Sequence, residues 1–289
     1  MQRRHVGAQF LAVTLVLAAC STEVADEPGT PSGGDPGETA AEATTTTSPF
    51  STTTTTTTIP PRLIPLLDEP PPFQSVTIQT DDELELHAKY WPGGPVAVLA
   101  GHDFHTASDA ADGFDPQSSD SILWWTGVLA DQGFTVLSPD YRGHGGSPGN
   151  TSIKNAPVDL KAAYDFLVAA GHETIVMAGM VGSGTAGVVL DATYPDVEFS
   201  GIAMIWSAPQ EVGLDAQRVL YGIDAPVYLV TFDDTRLERW SKLMAAEIDD
   251  LYDRVMFYPA PDGVDWVEAN GEEFVGRLVD FVEYVAAEG

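Results

Sequence analysis

Ser183, His102 and His105 are the side chains that could together attack a carbonyl, a hydroxyl as nucleophile and an imidazole to take its proton. Ser183 closes the stretch Gly179-Met180-Val181-Gly182-Ser183, which follows an apolar run. The two imidazoles stand in His102-Asp103-Phe104-His105, directly after the apolar run ending at Gly101. With Asp103 they also carry metal-ligand atoms. Histidines at i and i+3 in a loop fix no coordination geometry, however, and no second ligand pair accompanies them, so no metal is expected. Gly182-Ser183-Gly184-Thr185-Ala186-Gly187 spells G-x-G-x-x-G after a strand, the pattern that cradles a dinucleotide in a first βα unit. Here it falls mid-domain, and the nearby acid, Glu198, ends no obvious second strand, so no nucleotide or other cofactor is expected.

These residues need a scaffold. Apolar runs bounded by Gly, Pro and Asp predict strands near 75–79, 84–90, 95–100, 133–138, 174–179, 201–206, 226–231 and 254–258. Between them, helices are predicted near 119–131, 157–170, 184–194, 236–249 and 271–286. The alternation implies an α/β fold: a mostly parallel, doubly wound, eight-stranded sheet flanked by helices, its first two strands an antiparallel edge. About 20 residues separate Ile205 from Pro226, too few for a large lid domain. Any cleft is then open or roofed by loops. Trp124, Trp125 and Trp206 are candidates for its walls, with plain core as the other reading.

The segment Pro139-Asp140-Tyr141-Arg142-Gly143-His144-Gly145-Gly146-Ser147, leaving an apolar run, closely resembles the loop after the fourth strand of α/β-hydrolases. In that family Asp140, Arg142 and His144 would brace the loop rather than catalyse. The resemblance is to a lid-less, dienelactone-hydrolase or esterase-like core. It puts Gly179 to Ser183 at the nucleophile elbow, a sharp turn between strand and helix with small residues either side of the nucleophile. Val181 then occupies the tip. Valine has no lone pair to attack with, and a β-branched residue fits a strained tip poorly. Either the elbow has relaxed, or the register is shifted by two. The shift would make Ser183 the nucleophile, flanked by the branched Val181 and Thr185.

The family order of nucleophile, acid and histidine fails as well. The histidines are His5, His87, His102, His105, His144 and His172, and none follows the elbow. Where relatives commonly have His-Gly, the chain has Asp262-Gly263. An aspartate, with a pKa of about 3.9, is a weak base at neutral pH. Asp233 or Asp234 would be the surviving acid, and Gly101, His102, Asp103, His105 and Gly182 would rim the cleft and its oxyanion loop. The resemblance therefore implies a degenerate triad of Val181, Asp233 or Asp234, and Asp262.

Residues 1–19, with Arg3, Arg4 and an apolar core from Phe10 to Leu17, have the form of a secretory signal. Leu17-Ala18-Ala19-Cys20 resembles the bacterial lipobox, which implies a lipid on Cys20, the one cysteine of the chain. The apolar run is too short to span a bilayer. Residues 20–72, rich in Thr, Pro and Gly, read as a disordered tether, and 73–289 as the hydrolase-like domain. The net charge of −30 repels nucleic acid. The expectation is an extracytoplasmic lipoprotein, lipid-anchored to the bacterial cell membrane, whose non-catalytic cleft binds a small-molecule ligand or a cell-envelope partner. The alternative is an active serine hydrolase of esters or related bonds, with Ser183 displaced to serve with His102 or His105.

Overall fold

Alternating apolar strands and amphipathic helices fold into one eight-stranded sheet. The structure is a computed structural model and describes residues 61–104, 118–211, 213–232, 235–246, 248, 251–252, 256–258 and 266–288. The chain divides into a unit of residues 1–60 and a unit of 61–289, and the described residues all belong to the second. The signal segment, Cys20, His105, Asp233, Asp234 and Asp262 lie outside the described residues.

The strands are β1 Gln74–Gln79, β2 Glu85–Trp91, β3 Val96–Gly101, β4 Thr135–Pro139, β5 Thr174–Met180, β6 Gly201–Ile205, β7 Gln210–Glu211, β8 Leu214–Asp215, β9 Val227–Phe232 and β10 Met256–Tyr258. The helices are α1 Leu123–Asp131, α2 Ala156–Ala169, α3 Gly182–Thr193, α4 Thr235–Ala245 and α5 Trp266–Glu288. Spatial order in the sheet is β1-β2-β4-β3-β5-β6-β9-β10, with β7 and β8 a separate hairpin. β1 and β2 pair antiparallel, β2 joins β4 antiparallel, and every other pairing is parallel. This is the doubly wound α/β sheet that the alternation predicts. The hairpin and a 3-10 turn, Leu220–Gly222, occupy the connection from β6 to β9, and no large lid stands there.

Because side chains alternate across a strand, each central strand feeds two cores. Ala97 and Leu99, Ile175 and Met177, Ile202 and Met204 point to the side covered by Leu160 and Leu167 of α2 and Val188 and Leu190 of α3. Val98 and Ala100, Val176 and Ala178, Ala203 and Ile205 point to the other side, against α1 and α5. There α5 presents Phe274, Val275, Leu278, Val279, Phe281, Val282 and Val285, a helical stripe of threes and fours. Trp125 and Trp206 are buried in this second core and Trp124 packs against it, so the three tryptophans are core rather than cleft wall.

The boundary of the domain needs correction. Residues 61–72, expected as the end of the tether, pack on the domain as a strap. Ile64 is 7% exposed, and its N–H donates to the Glu272 carbonyl at 3.1 Å. Trp91 Nε1 donates to the Pro71 carbonyl at 2.9 Å, and Arg62 pairs with Glu283 at 3.0 Å and Asp280 at 3.4 Å. Glycines make room for it. An added Cβ at Gly276 would overlap the Arg62 carbonyl oxygen, and one at Gly271 would reach Leu66 Cδ1 at 2.8 Å. Residues 61–72 therefore belong to the domain.

Candidate functional site

In doubly wound sheets, sites form beyond the carboxyl ends of the strands. There β3 ends at Gly101 beside Gly179 of β5, and β5 runs through Met180 and Val181 straight into α3 at Gly182. Val181 has φ 50° and ψ −119°, a backbone that L-residues rarely adopt. Of the two outcomes left open by the sequence, a relaxed elbow and a shifted register, neither occurs. The turn is sharp, and Val181 is its tip.

Two features over-determine that geometry. Val181 N–H donates to the Ile205 carbonyl at 2.8 Å, continuing the ladder with β6. Gly179 lies against Gly184, so close that an added Cβ would overlap the Gly184 nitrogen. Gly184 and Gly187 lie inside α3, where Gly187 packs on Met177. Gly184 and Gly187 of the G-x-G-x-x-G string thus serve helix–sheet contact.

Strain of this kind costs of order 1–3 kcal/mol. Replacing an ordinary half-buried valine by glycine loses about 1–2 kcal/mol of burial and about 1 more in backbone entropy. At Val181, relief of strain offsets that loss, so Val181→Gly is expected to shift stability by no more than about 1 kcal/mol. A loss above about 2 kcal/mol in urea titration would mean that the backbone there is relaxed.

Ser183 sits in the interior, in the first turn of α3. It is fully buried, its Oγ accepts from Tyr141 Oη at 2.7 Å, and it donates to the His102 carbonyl oxygen. Both ring nitrogens of His102 are engaged by backbone. Nδ1 lies 2.6 Å from the Asp103 carbonyl, and Nε2 accepts from the Tyr141 N–H at 3.3 Å. One neutral tautomer, with the proton on Nδ1, satisfies both contacts. The structure joins Ser183 to the main chain of His102 and leaves the ring facing elsewhere, so the displaced pair Ser183–His102 is not formed. Tyr141, which the sequence reading passed over between Asp140 and Arg142, is the residue that fixes the serine.

Around the elbow the described side chains are mainly rings. His102, Phe104, Tyr141 and His144 cluster, with centroids 4.7 Å apart for His102–Tyr141 and 4.6 Å for Phe104–His144. Phe104 and Ile153 lie against Gly182, the first residue of α3. Asp103 Oδ1 accepts from the Phe104 N–H at 2.6 Å. Burial, reinforced by the Asp103 charge, raises the carboxyl pKa of Glu211 on β7. Among the described residues no group of three or more His, Cys, Asp and Glu is placed to hold a metal ion.

Asp140, Arg142 and His144 act as braces. Asp140 Oδ1 accepts from Ser119 N at 2.7 Å and Oγ at 2.6 Å, and Oδ2 from Gly146 N at 3.1 Å. Arg142 clamps Asp159 through Nε at 2.8 Å and Asp82 through Nη1 at 2.7 Å. His144 Nδ1 sits 3.1 Å from the Arg142 carbonyl.

Burial pushes the His102 imidazole down to about 4, against the Asp103 carbonyl, which favours the charged ring. Between pH 6.5 and 4 the unfolded chain takes up this proton and the folded chain does not. Stability from His102 is therefore complete above the unfolded value and is lost as pH falls, by about 3 kcal/mol in all. Urea midpoints measured from pH 7 to 4 are expected to fall, with a shallower slope in His102→Gln. Equal slopes would place the proton uptake elsewhere.

Solved structures share this fold. The chain matches an esterase from Pyrococcus furiosus at TM-score 0.57 and 15% identity, covering 74% of this chain and 91% of that one. The chain has the α/β-hydrolase fold. It also matches a predicted CIB-like hydrolase from Thermoplasma acidophilum (TM-score 0.54, 21% identity, 73% and 98% covered). An α/β hydrolase from Penicillium sp. sh18 matches at TM-score 0.59 and 14% identity, with 75% and 99% covered. At these identities the likeness is one of fold, and function has to be argued from the site. No protein-family model matches the sequence, and a search of curated proteins gives no match.

Proposed function

We propose that this chain is a lipid-anchored extracytoplasmic protein whose hydrolase-fold domain binds a small-molecule ligand or a cell-envelope partner without catalysing hydrolysis. The observation that carries the reading is Val181. The backbone at the elbow tip has the strained form that presents a nucleophile, and the side chain there is an isopropyl group. The sequence supplies no histidine after the elbow and has Asp262 where the resemblance expects one. The lipobox-like Leu17-Ala18-Ala19-Cys20 supports an anchor, and two or three acyl chains there would give lasting attachment. A net charge of −30 suits a body held off an anionic membrane.

The competing reading, an active serine hydrolase using Ser183 with His102 or His105, asks for a hydroxyl that a substrate can reach. Ser183 has no exposure, and its proton is committed to a carbonyl. Turnover of p-nitrophenyl acetate and butyrate separates the two. The full-length chain is expected to hydrolyse both no faster than its Ser183→Ala variant. Turnover abolished by Ser183→Ala would sink the non-catalytic reading.

A further inference from the structure

The hairpin β7–β8 and the 3-10 turn Leu220–Gly222 border an open, shallow concavity of about 370 Å³, lined by Gln210, Asp215, Gln217, Arg218 and Tyr221. None of the residues around the elbow lines it, so it is a separate feature of the carboxyl-end surface.

Its lining holds one cation, one acid, two amides and a phenol ring. The chain has 43 acidic residues against 13 Lys and Arg. Arg62, Lys89, Arg142, Lys161 and Arg277 all hold acid partners. The Arg218 guanidinium, among the described residues, has none. Asp215, which also lines the concavity, accepts from Gln210 Nε2 at 3.0 Å and from the Arg218 backbone N–H at 3.1 Å. Beside them Tyr221 is 70% exposed, the most exposed of the large hydrophobic side chains described.

This combination selects a ligand chemistry. The lining is mainly polar, with the Tyr221 ring as its one large apolar face, and so offers little to an acyl chain. A free guanidinium fork matches a carboxylate bidentately. Two primary amides offer donors and acceptors together, as vicinal hydroxyls require. An exposed phenol ring offers a flat amphipathic face at low entropic cost. We propose that this concavity binds a carboxylate-bearing saccharide, the acid on Arg218, the hydroxyls on Gln210 and Gln217, and a sugar face on Tyr221.

The test is calorimetric titration of the full-length chain with an α-1,4-linked galacturonate trisaccharide and with its methyl ester. The acid form is expected to bind saturably and the ester about tenfold more weakly, since esterification removes the carboxylate that pairs with Arg218. Arg218→Gln and Tyr221→Ala, both at exposed positions, are each expected to weaken the acid form about tenfold. The proposal is overturned by no saturable binding below about 10 mM, by equal affinity for acid and ester, or by affinity unchanged in both variants.

Discussion

A full-length chain lacking residues 61–72 is expected to be destabilised by about 5 kcal/mol, enough to bring many domains close to unfolding. The loss has a named centre. Ile64 is buried in the core shared by α1 and α5, and truncating a core isoleucine to alanine alone costs about 2–5 kcal/mol. Trp91 Nε1 would lose its acceptor at Pro71, and the ion pairs of Arg62 with α5 would go. Those ion pairs are half exposed and contribute little on their own. Gly276→Ala tests the same seat from the other side, because its methyl group needs the space held by the Arg62 carbonyl. Urea unfolding of Ile64→Ala, Gly276→Ala and the deletion should show all three destabilised, the deletion most. A deletion within about 1 kcal/mol of wild type would make residues 61–72 part of the tether after all.

Arg142→Ala is expected to cost about 3–5 kcal/mol, for a different reason. Asp159 has no solvent exposure and takes three contacts from Arg142: from the backbone N–H at 3.0 Å, from Nε at 2.8 Å and from Nη2 at 2.7 Å. Removing the guanidinium leaves a carboxylate in the interior with no counter-charge. Asp82, at the mouth of the same clamp, is held down to about 2, chiefly by its bonds from Arg142. The double variant Arg142→Met with Asp159→Asn should recover part of the loss, since an amide oxygen can still accept the backbone N–H. A single variant within about 1 kcal/mol of wild type would mean that water reaches Asp159.

The sheet was legible because parallel strands buried on both faces are written as continuous apolar runs, as in Val96–Gly101 and Thr174–Met180. The strap was not. Pro61 to Pro72 has the proline-rich composition of a linker, and its burial depends on Gly127, Gly271 and Gly276, remote in the chain. At the elbow, Val181 was legible as the tip residue, but its conformation was not. Local propensity argues against positive φ for valine, whereas β6 and the Gly179–Gly184 contact impose it. Ser183 looked reactive because a hydroxyl near histidines has the right chemistry. Only packing, through Tyr141 and the carbonyl of His102, shows where its hydrogen bonds go.

The elbow that keeps its strained geometry around a residue unable to attack is the core of the functional reading, and covalent labelling tests it directly. The full-length chain treated with a broad fluorophosphonate, digested and mapped by mass spectrometry is expected to carry no adduct on any peptide spanning Gly179–Gly187. An adduct on Ser183, lost in Ser183→Ala, would establish a working serine nucleophile and contradict the non-catalytic reading.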